Sequence, residues 1–499
     1  WTYEYDRLIE LAHENAMLVY LWLELPHVNE LFWENHPEWR ERTATGREAI
    51  VDWRRHMALT DTACLEAVFN ELSDLIQKYD WDGINLAELY FESPQGPEVP
   101  NVFTPMHSSV RKDFQSQYGI DPIEYFNPNS QYYWKNNNED WNNFVSYRKD
   151  LIIDLHRKCL KFFDQQNQQK KQPMEIIVTS LDDIHAKNIG ANTATDTRRL
   201  IALQDEYPFT LQIEDPQELW HQGPMRYKNL SQTYHNLMGR DSLILDINIV
   251  SFRSFQESLA PTRQPTGMEL NNYLYFASQD NNRVALYSES SIYLVDLPWV
   301  SYCLGWRTKE NFTPEKWEVR SYNTVTLELD AEQYENLIVN GQLWPAYHKG
   351  RLMLPAGTHE IKSMNKISSW INTLKSSARL VDITGELKSC TMNGQGIVIS
   401  YHSTVRNYII INEEPKEIYL DGNKFSAEVY EGIPGYSIQL PKGTHDVKIH
   451  TETKGGSSRN NISILGSFLI VTLSILAGSV LLILYTIRFR KRSRKKNNK

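Results

Sequence analysis

From Ile462 to Ile487 the chain runs through 26 residues without one charged side chain. About 20 apolar residues cross a hydrocarbon core of roughly 30 Å, so this run is long enough to span a membrane with some tilt. Its hydroxyls, Ser463, Ser467, Thr472, Ser474 and Ser479, can bond back to the helix backbone. Directly after it stand Arg488, Arg490, Lys491, Arg492, Arg494, Lys495, Lys496 and Lys499, with no acid among the last twelve residues. Lys and Arg gather on the cytoplasmic side of a span. The expectation is a single-pass membrane protein with a cytoplasmic C-terminus and residues 1–461 extracytoplasmic. The basic tail also resolves the charge balance. The whole chain carries −10, but without the tail 44 basic groups face 62 acidic ones, giving −18. An ectodomain that acidic argues against a nucleic-acid partner.

The 499 residues, 41% hydrophobic and 23% charged, are enough for two to four domains. The chain opens Trp1-Thr2-Tyr3-Glu4, with neither Met nor an export signal, so a natural N-terminus is expected upstream. Cys64, Cys159, Cys303 and Cys390 form no Cys-x-x-Cys pair, which excludes a zinc ribbon or thioredoxin motif. Cys64 and Cys159 fall in amphipathic helices and read as buried thiols.

Residues 1–300 alternate helical and strand patterns. Between Asp61 and Tyr79, Leu65, Val68, Phe69, Leu72, Leu75, Ile76 and Tyr79 recur at three- and four-residue steps, one stripe of a helix facing a core. Apolar runs at Met17–Leu23, Ile84–Leu89, Met174–Ser180, Phe209–Glu214, Leu243–Asn248 and Arg283–Ser288 read as six buried strands. Such alternation predicts a parallel sheet with helices outside. A doubly wound sheet would want a Gly-rich first turn, and no G-x-G-x-x-G is present. The expected fold over residues 1–310 is therefore an α/β, TIM-type (β/α)8 barrel, N-terminally truncated, with six strands present. Acids stand at nearly every strand end (Glu24, Glu88, Asp182, Glu214, Asp246 and Glu289), where such a barrel keeps its active site.

Beyond residue 310 the pattern changes. Leu354-Pro355-Ala356-Gly357-Thr358-His359 is echoed by Leu440-Pro441-Lys442-Gly443-Thr444-His445. Upstream of each lies a second echo, Asn340-Gly341 and Asp421-Gly422, both strong hairpin signals. Two small β-sandwich modules are expected, at 318–365 and 385–451, with His359 and His445 as matching turn residues. A linker follows at 452–461, then the transmembrane helix 462–487 and the basic tail 488–499.

The segment Trp81-Asp82-Gly83-Ile84-Asn85-Leu86-Ala87-Glu88-Leu89-Tyr90-Phe91 resembles the fourth strand of glycoside-hydrolase barrels, which ends in a catalytic carboxylate beside aromatic residues. The wider order, down to the helix Trp141-Asn142-Asn143-Phe144-Val145-Ser146-Tyr147-Arg148, resembles bacterial glycosyl-hydrolase-like barrels of unassigned specificity. Ala87 stands where the clan A hydrolases carry Asn. The resemblance implies that Glu88 is the acid/base.

Glycosidic cleavage needs two carboxyl groups across the scissile bond, one protonated and one ionised. Leu86, Leu89, Tyr90 and Phe91 around Glu88 suit a raised pKa. The second carboxylate is Glu214, Asp246 or Glu289. Glu214 is favoured because Trp220, Arg226 and Tyr227 follow it. The catalytic pair is thus expected to be Glu88 and Glu214, with Trp22, Glu24, Asn85, Tyr90, Trp220, Arg226, Tyr227, Asp246 and Glu289 contacting substrate. Fourteen Trp, 27 Tyr and 17 Phe supply flat faces for sugar rings. Asp182-Asp183-Ile184-His185 has the look of half a metal site, but no His-x-x-x-His completes it, and neither metal nor cofactor is expected. The expected function is hydrolysis of a polysaccharide or oligosaccharide. The alternative is a non-catalytic glycan-binding or envelope-assembly protein on a degenerate barrel.

Overall fold

The computed structural model describes residues 4–51, 53–216, 219, 222–249, 266–287, 292–297, 299–300, 307–310, 313, 315–331, 334–364, 378–394 and 396–452. The uncharged run 462–487, the linker from residue 453 on, the basic tail and Cys303 lie outside these. Among the described residues no helix is long and apolar enough to cross a membrane.

The first eight strands are β1 Tyr20–Glu24, β2 Ile50–Val51, β3 Arg54–Arg55, β4 Gly83–Ala87, β5 Glu175–Leu181, β6 Thr210–Glu214, β7 Leu243–Asn248 and β8 Val284–Tyr287. β2 and β3 form a small antiparallel hairpin. The other six pair in parallel in the order β1-β4-β5-β6-β7-β8. This corrects the expected eight-stranded barrel: among the described residues β1 and β8 do not pair with each other, and the sheet is an open half-barrel. Closure is decided by whether two distant edges meet, and the pattern within each strand does not encode that.

The two faces of this sheet differ chemically. Ile84, Leu86, Val178, Leu211, Ile213, Leu243, Leu245 and Ile247 enter the main core with the helices. Each such side chain contributes on the order of 1.5–3 kcal/mol when fully buried. Side chains alternate along a strand, so the residues between them share the other face. Paired registers put Trp22, Asn85 and Ile177 on that inner face, with Thr179 and Gln212 further along and Glu214 beside Asp246. The amino end of the inner face is closed by Tyr20 and Arg283. The Tyr20 hydroxyl donates to Glu175 at 2.6 Å, and Arg283 holds the same carboxylate at 2.5 and 2.8 Å. Gly83 fits because a Cβ there would collide with the Tyr20 ring.

Residues 307–452 form four antiparallel sheets of five, three, four and five strands. The expected pair of separate sandwiches is corrected here too, because one core runs through both, from Trp317, Val325 and Leu354 to Ile399, Ile438 and Ile449. The two copies share a pair of hydrogen-bonded turn contacts. Asn340 and Asp421 adopt left-handed backbone (φ 52° and 49°) before Gly341 and Gly422, as a two-residue hairpin turn requires. Asn340 accepts from the Glu360 N–H and contacts His359; Asp421 accepts from the Asp446 N–H and contacts His445. The matching histidines are turn braces.

The β region docks on the amino end of the half-barrel through a buried ionic knot. Asp82, fully buried, is 3.0 Å from His13 Nε2 and 3.0 Å from Arg406 Nε, and accepts the Val19 N–H at 2.6 Å. Arg406 also reaches Asp80 at 3.0 Å and the Trp81 carbonyl at 2.7 Å. His13 stacks on Tyr408 with ring centres 4.7 Å apart. Among the described residues these contacts lie at the amino end of the parallel strands.

Candidate functional site

Glu88 is the first residue past β4, and its backbone is left-handed (φ 55°). A non-glycine residue in that region costs on the order of 1 kcal/mol and is found most often where function demands it. The Tyr90 N–H returns to the Glu88 carbonyl at 2.8 Å, which makes the turn tight. The next residues alternate: Leu89 and Phe91 go down into the main core, while Glu88, Tyr90 and Glu92 are left on the site side.

Arg54, on the β2–β3 hairpin, reaches over this end of the sheet. Its Nη2 lies 2.6 Å from Glu24 and 2.7 Å from Glu88, and its Nη1 lies 2.7 Å from Glu92. One guanidinium thus faces three carboxyl groups, all about a fifth exposed or less. His56 is 3.7 Å from Glu92 but burial pushes its pKa down to about 3, so Arg54 is the cation that counts. Burial pushes Glu88 up to about 8; Arg54 opposes the rise, while Glu24 and Glu92 add to it. Glu214, at the end of β6, is held well above the usual carboxyl range by burial, and then by Asp246, Glu88 and Asp215. Tyr90 is raised as well, by burial and by the charges of Glu88 and Glu214. The charge of Glu88 raises Glu214, so the titrations of the two groups are linked.

Below this cluster the inner face carries a buried polar chain. Thr179 donates to Asn85 Oδ1 at 2.9 Å, Asn85 Nδ2 to Gln212 at 3.3 Å, and Gln212 Nε2 to Asp246 at 3.0 Å. Burial pushes Asp246 up to about 6, against the Gln212 hydrogen bond. Asp246 and Asn85 are therefore linked to each other through Gln212, and both are buried. Trp22, 44% exposed on β1, and Trp53, 58% exposed beside Arg54, are the aromatic faces open to solvent here.

Neither a family model nor a curated protein matches this chain. Among solved structures, the glycoside hydrolase domain of PgaB (BpsB) from Bordetella bronchiseptica is 12% identical, with a TM-score of 0.37 over 57% of this chain and 75% of that one. A beta-galactosidase from the haloarchaeon Halorubrum lacusprofundi is 11% identical, with a TM-score of 0.39 over 57% of this chain and 44% of that one. An alpha-amylase from Geobacillus thermoleovorans is 12% identical, with a TM-score of 0.33 over 72% of this chain and 80% of that one. The chain spans less than half the length of the beta-galactosidase. Likeness at this level decides nothing about activity, which rests on the side chains of this chain.

Of the expected site residues, Glu24, Glu88, Tyr90 and Glu214 come together, with Asn85 and Asp246 beneath and Trp22 alongside. Arg226 and Tyr227 go elsewhere. Both are buried on Asp215: Arg226 Nε at 2.6 Å, the Tyr227 hydroxyl at 3.2 Å. They hold the residue after Glu214 and so position that strand end. Trp220 and Glu289 lie outside the described residues. Asp182 is a brace, taken by His185 at 2.8 Å and the Tyr234 hydroxyl at 2.7 Å.

Arg54 and Glu92 escape a sequence reading. The available signal was position, since Arg54 follows Trp53 in the first connection after β1, at the carboxyl end of the sheet. Arg148 escapes it too. Fully buried, it donates to the carbonyls of Thr104, Ala191 and Asn192 and to Ser93 Oγ at 2.8–3.1 Å. It stacks on Phe103 at 4.2 Å, and so pins the loop that carries Glu92.

Proposed function

We propose that this chain hydrolyses glycosidic bonds in a polysaccharide or oligosaccharide, with Glu88 as the proton donor and Glu214 as the second carboxyl group. The observation that supports this is the Glu88 carboxyl, pushed up to about 8 at the carboxyl end of a parallel sheet, next to a second raised carboxyl. A protonated Glu88 gives its proton to the leaving glycosidic oxygen. The ionised partner attacks the anomeric carbon or takes a proton from water. The proton is assigned to Glu88 because burial, and then the neighbouring Glu24 and Glu92, raise its carboxyl. Arg54 fixes Glu24 and Glu92 and limits the negative charge gathered around the pair. Trp22 and Trp53 offer flat faces to the C–H sides of sugar rings.

A second reading, a glycan-binding protein without catalysis, draws support from the same guanidinium. Three carboxyl groups at 2.6–2.7 Å already engage it, and a substrate would have to enter that cluster. Incubation with a panel of polysaccharides, followed by assay of new reducing ends, separates the two. Hydrolysis is expected from the wild type and is expected to be absent from Glu88→Gln. Binding without any release by the wild type selects the second reading.

A further inference from the structure

We propose a second carbohydrate site, at the other end of the parallel sheet, in the cleft between the start of β8 and the antiparallel sheets. The cleft encloses about 510 Å³, in the range of small-ligand sites and large enough for one or two sugar rings. Strands of five to six residues separate it from the carboxyl cluster, roughly 16 Å at about 3.3 Å per residue. It is a different place from the site above, and the proposal does not depend on the chemistry assigned there.

Three properties of the lining define the ligand. First, its charges are already joined to protein. Arg351 bridges Glu328 at 3.4 Å and Asp382 at 3.3 Å. Arg283 is committed to Glu175, and Glu386 is paired with Lys388 at 2.6 Å. A charged ligand would have to break one of these pairs, whereas a neutral one can bond to their outer edges. Second, two amide oxygens lack donors. Asn323 is 4% exposed and gives its Nδ2 to the Ser278 carbonyl at 3.2 Å, yet its Oδ1 meets no partner among the described residues. The Oδ1 of Asn282 is buried in the same condition. Both residues line the cleft. Acceptors left without a donor favour a ligand that brings hydroxyl groups. Third, Leu18, Val284, Met353 and Ile383 give the cleft an aliphatic part, against which the C–H face of a sugar can lie. Neutral, rich in hydroxyl donors and apolar on one face describes an uncharged mono- or disaccharide.

The test is titration of the full chain, by saturation-transfer NMR and calorimetry, with glucose, galactose, N-acetylglucosamine, cellobiose and maltose. At least one sugar is expected to bind. Arg351→Ala and Asp382→Ala, both of partly exposed residues at the rim, are each expected to weaken it roughly tenfold, the loss of one hydrogen bond to a charged group. Glu88→Gln is expected to leave it within about twofold, by the usual independence of distant sites. Absence of binding by every probe up to about 10 mM, which reveals even millimolar affinities, overturns the proposal. So does unchanged affinity in both rim variants. Affinity lost in Glu88→Gln places the sugar in the carboxyl cluster and overturns it as well.

Discussion

At pH 8 the Glu88→Gln protein is expected to melt several degrees above the wild type while losing roughly 10²–10⁴ of its hydrolytic rate. The rate loss is the ordinary size of a general-acid contribution. The gain in stability follows from the sign of the pKa shift. Glu88 is pushed up to about 8 in the fold from an ordinary 4.5. Between those values the folded state binds more protons than the unfolded one, so the wild type is most stable at low pH and loses stability as pH rises. Ionising Glu88 in place costs at most about 4 kcal/mol at pH 8, at 1.36 kcal/mol per unit. Gln keeps the shape and the backbone demand of residue 88 but has no proton to lose. The difference in melting temperature should therefore shrink toward pH 4.5. Calorimetric scans of both proteins from pH 4.5 to 9 check it, and a Gln variant less stable than wild type at every pH would sink the reading of Glu88 as a strained acid.

The second large effect lies at the junction. Asp82→Ala removes a fully buried carboxylate and leaves Arg406, 5% exposed, and His13, 1% exposed, facing a void. It also strips the Val19 N–H of its acceptor. Breaking a buried pair by removing one partner costs about 3–5 kcal/mol, and that loss is expected here. Asp80→Ala touches the same guanidinium, but Asp80 is 56% exposed. An exposed pair contributes about 1 kcal/mol or less, so this variant is expected to be near wild type. Equal costs for the two substitutions in chemical denaturation would contradict the account of the knot.

Much of the α/β architecture was legible in the sequence because it rests on local pattern. The stripe from Leu65 to Tyr79 does form a helix, Thr62–Lys78, and the run Leu243–Asn248 is β7. The Asn340-Gly341 and Asp421-Gly422 turns form as their backbone preferences dictate. What failed depended on contacts between distant residues. The same six strands can line a closed barrel or an open half of one, and only the edges of β1 and β8 distinguish the two. The apolar strands also concealed an alternation, since Asn85, Thr179, Gln212 and Asp246 are linked by hydrogen bonds on the inner face. Arg226 follows Glu214 closely enough in sequence to suggest a substrate contact, but its guanidinium is spent on Asp215. Arg54 is seated on a two-residue strand, too short to leave any periodic signal.

The claim on which the rest turns is that the Glu88 carboxyl is protonated at neutral pH. Carbon-13 NMR titration of protein labelled at the glutamate carboxyl carbons measures it directly, with Glu88→Gln identifying the resonance. A signal present in the wild type, missing from the variant and titrating near pH 8 is the predicted result. The same signal titrating near 4.5 would contradict it.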